Sequence, residues 1–235
     1  MRKLATRKMG AKALIENLET RRFLAGNVTA ALDTSGVLIV TGDNKANQFE
    51  VSTDPGPDRT EVTPLGDTRI NGGTAPVVFA GFPDVVIATG NGDDFVRLRD
   101  FTIQDVDVST GSGNDVVVGD IDDFGGNIFN DLSIDTGNGD DSVTLTEKTQ
   151  ILDLSINTGN GDDAVSLLDD TVVFGNLSIQ TGNGADEIAA TGQFVVLGTA
   201  TFDGGHGHDT LDESGITFFA FGSPPDIIAI ETVVV

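Results

Sequence analysis

The stretch Leu132-Ser-Ile-Asp-Thr-Gly-Asn-Gly-Asp-Asp-Ser-Val-Thr-Leu145 holds the pattern that decides the fold. Before its loop, Leu132 and Ile134 alternate with polar residues, and Val143 and Leu145 do the same after it. Alternation with a period of two is typical of strands that bury one face. The two glycines between them permit a sharp turn. The stretch therefore predicts a strand, a tight loop and a second strand.

This stretch recurs along the chain. Six loops of six residues align on their glycines, and their starts are separated by 21, 26, 22, 23 and 23 residues. The loops are residues 89–94, 110–115, 136–141, 158–163, 181–186 and 204–209. The longest spacing contains residues 120–126, which we interpret as an insertion that bulges from one turn.

The repeat length predicts the fold class. A third short apolar stretch, such as Ile151-Leu152 or Val172-Val-Phe174, lies between successive alternating pairs. A unit of about 22 residues with three short strands is too small to bury a core alone, whereas stacked units pair each strand with its equivalents above and below. We therefore predict an all-β protein, a parallel β-solenoid (β-helix) with columns of Leu, Ile, Val and Phe inside.

The composition changes along the chain and suggests four segments. Residues 1–26 form a basic leader, either a short amphipathic helix or a disordered tail, and residues 27–88 form irregular N-terminal coils or a cap. Residues 89–213 form the regular solenoid. Residues 214–235 carry apolar strands that we expect to cap the last coil, because an open final coil is an unpaired edge.

The charge of the chain excludes several classes of function. There are 37 acidic and 13 basic side chains, a formal net charge of −24, and seven of the basic residues lie within the first 22 positions. A protein this acidic repels phosphate backbones and attracts cations. We therefore expect no nucleic-acid partner. No apolar run is long enough to span a bilayer, and no cysteine is available for a disulfide or a thiolate metal site.

Stacking of the loops places equivalent carboxylates in columns. Neighbouring coils are about 4.8 Å apart, and two carboxylates at that distance repel by about 1 kcal/mol in water and about 3.5 kcal/mol at an effective dielectric near 20. A hard cation with six to eight oxygen ligands would neutralise them, and Ca²⁺ fits better than Mg²⁺, which demands a tight octahedron. The candidate ligands are the sixth-position residues Asp94, Asp115, Asp141, Asp163, Asp186 and Asp209, together with the fifth-position residues Asp93, Asp140 and Asp162.

An alternative needs no metal. Asn-Gly and Asp-Gly are ordinary turn formers, and stacked asparagines can form a hydrogen-bonded ladder with only loose cation screening outside it. The asparagines in question are Asn91, Asn138, Asn160 and Asn183.

The last loop resembles a known family of repeats. Residues 204–212, Gly-Gly-His-Gly-His-Asp-Thr-Leu-Asp, match the hemolysin-type repeats-in-toxin pattern G-G-x-G-x-D-x-U-x, and the other five loops match it with Thr as the first residue. The resemblance implies that calcium sits between stacked turns, held by the sixth-position aspartates and loop carbonyls, and that the chain folds on binding it. The family repeats every nine residues, whereas here one loop recurs per coil, so at most five sandwiched sites would lie in a single column.

The leader carries a second resemblance. Leu14-Ile-Glu-Asn-Leu-Glu-Thr-Arg-Arg-Phe-Leu-Ala25 resembles the N-terminal Leu-Glu-x-Arg-x-Leu-Leu leader of large exported and surface proteins of planctomycete bacteria. The resemblance implies export, an extracellular or cell-surface location and possible removal of the leader near Ala25-Gly26.

These observations favour a non-enzymatic, extracellular, calcium-binding solenoid that acts as a structural, surface or adhesive module. The alternative is a self-assembling subunit of a filament or surface layer, in which the apolar C-terminus pairs with the first coil of the next copy.

Three further readings are less favoured. A β-helix enzyme acting on acidic polysaccharide would need a basic group for the substrate, and Arg97 and Arg99 alternate on one strand face. A transition-metal site would use His206 and His208. Ice binding would use the regularly spaced threonines at positions 89, 110, 136, 158 and 181.

Overall fold

The structure is a computed structural model that describes residues 26–54, 58–120, 128–146, 148–168, 170–212, 214, 216–218 and 226–234. It confirms the predicted fold class, because the strands of these residues stack into a parallel β-solenoid. The described residues contain no helix. Within the described ranges there is accordingly no helix long and apolar enough to cross a membrane. Residues 1–25 of the leader, predicted as a short helix or a disordered tail, and most of the predicted insertion lie outside the described residues.

The strands are numbered in chain order. The first thirteen are β1 (Asn27–Leu32), β2 (Leu38–Thr41), β3 (Gln48–Asp54), β4 (Arg59–Pro64), β5 (Arg69–Ile70), β6 (Val77–Ala80), β7 (Val85–Asn91), β8 (Phe95–Arg99), β9 (Thr102–Ser112), β10 (Val116–Asp120), β11 (Ile128–Asn138), β12 (Ser142–Leu145) and β13 (Gln150–Asn157). The others are β14 (Ala164–Leu167), β15 (Val172–Val173), β16 (Leu177–Gln180), β17 (Asn183–Gly184), β18 (Glu187–Ala190), β19 (Phe194–Val196), β20 (Ala200–Asp203), β21 (His206–Gly207), β22 (Thr210–Asp212), β23 (Ile216–Phe218), β24 (Asp226–Ile228) and β25 (Thr232–Val234).

Each coil runs over three faces. Face 1 holds the strands that enter the loops, namely β2, β7, β9, β11, β13, β16, β20 and β24. Face 2 holds the strands that leave the loops, namely β3, β8, β10, β12, β14, β18, β22 and β25. Face 3 holds the short strands β15, β19 and β23 and the first residues of β9, β11 and β13.

The register stacks like residues on like. Leu132 pairs with Leu154 and Leu154 with Leu177, while Val143 pairs with Val165, so each apolar position forms a column. These side chains are at most 2% exposed. The predicted columns of buried Leu, Ile and Val are therefore confirmed, and they form one continuous core along the solenoid.

The N-terminal segment ends the solenoid with antiparallel strands. Residues 38–54 form the first coil, since β2 and β3 pair in parallel with β7 and β8. Strand β1 then pairs antiparallel with β2, and β4 pairs antiparallel with β3 and with β6. Both strands of the first coil are thus covered by their own chain.

The C-terminal strands extend the stack. Strands β23, β24 and β25 pair in parallel with β19, β20 and β22, so the C-terminal strands cover the last regular coil by extending its sheets. Their side chains are more exposed than those of earlier coils, with Ile227 at 38%, Ile228 at 49% and Val233 at 40%.

Candidate functional site

The six sixth-position aspartates point into the solenoid. Asp94, Asp115, Asp141, Asp163, Asp186 and Asp209, hereafter the aspartate column, are between 0 and 2% exposed. The cause is the alternation of the following strand, because Asp141 has the same parity as the buried Val143 and Leu145. The same parity is present in the sequence, and it places these carboxylates in the interior as well as at the turn.

Glycine allows the loop to bring these residues inward. Gly137 and Gly139 have φ of 95° and 125°, a conformation that side chains rarely adopt. A Cβ atom on Gly139 would lie 1.9 Å from the carbonyl oxygen of Gly113 in the preceding coil. The fourth position of the loop therefore needs glycine for close stacking as well as for its turn.

A hydrogen-bond ladder links the aspartate column along the solenoid axis. One carboxyl oxygen, Oδ1, of each aspartate accepts the backbone N–H of the sixth-position residue in the preceding coil, as in Asp115 N–H to Asp141 Oδ1 at 2.8 Å. The same bond recurs for Asp94, Asp141, Asp163 and Asp186 as donors at 2.8 to 3.0 Å.

Two residues that the sequence analysis missed extend this ladder at its ends. Asn47 donates its backbone N–H to Asp94 Oδ1 at 2.7 Å, and Asp209 donates its N–H to Glu231 Oε2, also at 2.7 Å. Both occupy the sixth position of degenerate loops, since each directly precedes a face 2 strand. Alignment on the strands, with the glycines ignored, finds them.

The second carboxyl oxygen, Oδ2, has no hydrogen-bond partner. In all six members of the aspartate column this atom is buried and accepts no hydrogen bond of ordinary geometry within the described residues. The threonine hydroxyl of the same loop is still near enough to lower the pKa of the carboxyl in five of them. An unpaired buried oxygen on an ionised carboxylate is costly. The column therefore presents six equivalent atoms that a proton or a cation would satisfy.

Burial raises the pKa of these carboxyls. It takes the pKa of Asp94 and Asp141 from 3.8 to about 6, and it is also the largest cause of the raised pKa of Asp115, Asp163 and Asp186. Hydrogen bonds oppose the shift, and repulsion from neighbouring carboxylates is a smaller cause. The electrostatic cost of the column thus comes mostly from burial, whereas the stacked spacing led us to emphasise repulsion.

The threonine column lies beside the aspartate column. Residues Thr89, Thr110, Thr136, Thr158 and Thr181 are fully buried, and each hydroxyl donates to a carbonyl oxygen of the next coil at 3.1 to 3.3 Å. The ice-binding reading is therefore wrong, because these hydroxyls face the interior. The threonine also lowers the pKa of the aspartate in its own loop in five coils. A hydroxyl has one proton, so it cannot serve the carbonyl and the carboxylate fully at the same time.

The fifth-position residues form a separate, exposed column. Asp93, Asp140 and Asp162 each accept the backbone N–H of the fifth residue in the next coil through Oδ1, at 2.8 to 3.0 Å. All three residues are exposed to solvent. Adjacent aspartates in one loop thus belong to different environments, and only the sixth has an unpartnered buried oxygen.

The asparagine ladder of the metal-free alternative is present in part. Asn183 donates from Nδ2 to Asn160 Oδ1 at 2.7 Å, and Asn160 donates to Asn138 Oδ1 at 2.9 Å. Asn91 lies outside this run because Ser112 intervenes, and it donates instead to Asn44. The asparagine ladder and the unpartnered Oδ2 atoms occur in the same loops. The ladder therefore does not exclude cation binding by the aspartate column.

A metal ion in the loops would depend on backbone oxygens. The described residues contain no cluster of three or more Asp, Glu, His or Cys side chains that could hold an ion. The carbonyl oxygens of Gly113, Gly139 and Gly161 accept no hydrogen bond from the described part of the chain. One or two Oδ2 atoms with such carbonyls form an all-oxygen donor set, which is the type that calcium prefers. The oxygen ligands of the loops therefore fit calcium in their chemistry, although each site would contain only one or two carboxylates.

The other candidate residues lie apart from the loop interior. His206 and His208 are exposed on the last loop, and no third metal-binding side chain joins them in the described structure. Arg99 Nη2 lies 2.8 Å from Glu50 Oε1, and Arg97 binds Asp120 through Nε at 2.8 Å. Both arginines are thus held by carboxylates of the solenoid itself.

Comparison of the chain with protein-family models, with curated proteins and with solved structures finds no match.

Proposed function

We propose that this chain is a calcium-stabilised, non-enzymatic β-solenoid that acts outside the cell as a structural, surface or adhesive module. The observation that carries the proposal is the row of six buried Oδ2 atoms that lack a hydrogen-bond partner. A buried carboxylate oxygen without a hydrogen-bond partner is unfavourable, and its repetition in six coils calls for a ligand such as a cation. The loop resemblance to hemolysin-type repeats supports the same ion.

The aspartate column would hold the ions, with loop carbonyls such as those of Gly139 and Gly161 as further ligands. Calcium supplies positive charge that satisfies Oδ2 and offsets the burial of the carboxylates. The chain's own contribution is the orientation of each carboxyl, since the backbone N–H bond to Oδ1 fixes it in every coil. Between one and five ions would be sandwiched between the six loops.

The location follows from the ion. Extracellular modules use calcium sites with dissociation constants of about 10⁻⁴ to 10⁻³ M, so weak sites with few carboxylates are filled only where calcium is plentiful. The resemblance of the leader to those of exported planctomycete proteins supports the same location. The absorption of Arg97 and Arg99 into ion pairs with Asp120 and Glu50 favours a structural role over polysaccharide cleavage.

The test is thermal unfolding of the full chain, followed by circular dichroism in chelator and then with added calcium or magnesium. We expect calcium to raise the melting temperature and magnesium to do much less. The double variant Asp141→Asn with Asp163→Asn removes two central ligands and should lose much of the calcium response. The matched variant Asp135→Asn with Asp203→Asn, which neutralises two face 1 aspartates outside the column, should keep it. A melting temperature insensitive to calcium in the natural sequence contradicts the proposal.

A second function, self-assembly, is favoured by the exposed apolar side chains of the last strands, Ile227, Ile228 and Val233. The contact expected from the sequence is wrong in one respect. The first coil offers no free edge, because β1 and β4 already pair with β2 and β3. A partner copy would have to meet either the N-terminal cap strands or a second C-terminal coil.

A further inference from the structure

A groove crosses face 1 in the middle of the solenoid. It is open to solvent, has a volume of about 340 Å³, and spans three consecutive coils formed by β11, β13 and β16. Each coil contributes one carboxylate or amide and, two residues later, one serine. The pairs are Asp131 with Ser133, Asp153 with Ser155, and Asn176 with Ser178.

The polar groups of the groove are spaced and oriented by the backbone. Asp131 pairs with Asp153, and Ser133, Ser155 and Ser178 follow one another in register, so equivalent groups recur about every 4.8 Å. Asn176 donates its backbone N–H to Asp153 Oδ1 at 2.5 Å, which fixes that carboxyl. The three serine hydroxyls make no hydrogen bond within the described chain, so each can donate and accept toward a ligand.

The charge of face 1 restricts the ligand. Strands β7, β9, β11, β13, β16, β20 and β24 contain no Lys or Arg, whereas Asp105, Asp107, Asp131, Asp135 and Asp153 lie on or beside them. Burial, followed by repulsion from Asp105 and Asp153, raises the pKa of Asp131. A ligand with carboxylate, sulfate or phosphate groups would be repelled here.

Two exposed apolar side chains come shortly before groove residues in the chain, at the corner between face 3 and face 1, and form a ridge. Leu152 is 45% exposed and Phe174 is 47% exposed. They stack in adjacent coils, because Phe174 N–H donates to the carbonyl of Ile151 and Gly175 N–H donates to that of Leu152 at 2.7 to 2.8 Å. Such a ridge suits a ligand that has apolar C–H surfaces beside its hydroxyls.

We propose that this groove binds a neutral polysaccharide that runs along the solenoid axis. Repeating donors and acceptors match repeating sugar hydroxyls, the anionic face rejects acidic glycans, and the ridge of Leu152 and Phe174 contacts the C–H face of the rings. The proposal names a ligand for the adhesive module proposed above. It uses none of the aspartate column, so the two proposals can fail separately.

Titration calorimetry of the full chain with neutral oligosaccharides tests it, in calcium buffer and again in chelator, with circular dichroism as a check on folding. The probes are hexamers and trimers of β-linked glucose and of N-acetylglucosamine, with a galacturonate hexamer and an oligolysine as comparisons. We expect a neutral trimer to bind nearly as tightly as its hexamer, because equivalent groups in three coils span only about 10 Å, the length of two to three sugar rings. Ser155→Gln fills the centre of the groove and should weaken binding by about tenfold or more, as blocked hydrogen bonds do.

The matched control is Ser166→Gln, which places the same side chain in the same coil but on face 2, and it should leave binding unchanged. The proposal is overturned if the folded chain binds no neutral hexamer, if Ser155→Gln binds as well as the natural sequence, or if galacturonate or oligolysine binds more tightly. If the chain binds the oligosaccharide but its stability does not depend on calcium, calcium stabilisation is refuted and the glycan-binding proposal stands. If calcium stabilises the chain but no oligosaccharide binds, the glycan-binding proposal is refuted and calcium stabilisation stands.

Discussion

At the scale of single residues, neighbouring aspartates in one loop have different roles. Asp140 is exposed and accepts the N–H of Asp162 at its surface, whereas Asp141 is 2% exposed and accepts the N–H of Asp115 in the interior. The composition of the loop does not distinguish them. The alternation of the following strand distinguishes them, because it buries the Asp141 carboxylate in the interior and leaves the Asp140 carboxylate exposed to solvent.

Removal of the buried acceptor should destabilise the fold more than removal of the exposed one. Asp141→Ala leaves the Asp115 N–H buried without a partner, a loss of about 1–3 kcal/mol. Asp140→Ala removes a solvent-exposed acceptor and should cost less than about 1 kcal/mol. Urea unfolding of both variants at pH 5, where burial holds the Asp141 carboxyl mostly protonated, measures the difference. Equal losses would mean that the interior ladder adds nothing to stability.

The raised pKa values give the chain an unusual dependence on pH. Asp94 and Asp141 bind protons more tightly in the folded state, with a pKa of about 6 against 3.8 as the ordinary value. Their contribution to stability is therefore fully present below about pH 4 and is lost as the pH rises through about 6. Asp115, Asp163 and Asp186, which face them along the column, shift in the same direction.

In chelator we therefore expect the melting temperature to be higher at pH 5 than at pH 7.5. Asp141→Asn, which is neutral at both values, should reduce this difference and should equal or exceed the natural sequence at pH 7.5. Calcium should restore stability at pH 7.5, where the carboxylates are free of protons. A melting temperature that rises steadily from pH 5 to 7.5 in chelator would show that burial of these carboxyls is not what limits stability.

At the scale of the coil, the loop glycines determine how closely coils stack. Gly161→Ala places a Cβ atom 1.9 Å from the carbonyl oxygen of Gly139, at a φ of 138°. Gly36→Ala meets a φ of 94° but has no atom within 4 Å. The second variant should lose about 1–2 kcal/mol from the left-handed backbone alone. The first should lose a further 1–3 kcal/mol or so from overpacking.

Denaturant unfolding of the two variants side by side isolates the stacking cost. The comparison is matched, because both substitutions are Gly→Ala at positive φ. If Gly161→Ala is no worse than Gly36→Ala, the coils have room to separate and the tight stacking of the loops is not needed for the fold.

The repeat explains why the coils, but not their ends, were predictable. Alternation around Leu132–Leu145 and five similar stretches specify strands, faces and register, because each coil must match its neighbours to bury its core. The antiparallel strands β4 and β6 belong to no repeat, and their pairing depends on contacts that one strand pattern does not encode. The C-terminal segment was expected to supply cap strands, but the parallel register in which they pair with the last regular coil is not specified by any repeated loop.

The candidate site was predictable in position and only partly in character. The sixth-position aspartates do form one column along one edge, as the aligned loops require. Their burial follows from the alternation of the following strand and was predictable. The hydrogen bond that Oδ1 accepts from a backbone N–H depends on the loop conformation, which the alternation does not specify. Asn47 and Glu231 were missed because their loops lack the glycines on which the alignment was made.

At the scale of the whole molecule, the two ends of the stack differ. The N-terminal end is covered by β1, β4, β5 and β6, and on the last coil Ile228 and Val233 are 49% and 40% exposed. A solenoid grows or stops at its ends, because each coil contacts only its neighbours. We therefore expect any end-to-end assembly to depend on a few side chains of the terminal strands.

Charged substitutions on these strands should identify the assembly contact. Ile228→Lys with Val233→Lys places cations on the last coil and should abolish any association that light scattering detects at high protein concentration, because buried unpaired charges oppose edge pairing. Val78→Lys, on the exposed face of cap strand β6, separates two geometries. If copies join head to tail, they form open filaments that both variants disrupt. If two C-terminal coils meet, association stops at a dimer that Val78→Lys leaves intact. Phe174→Lys, on the side of the stack, should affect neither, and a natural sequence that stays monomeric at every concentration would remove self-assembly as a function.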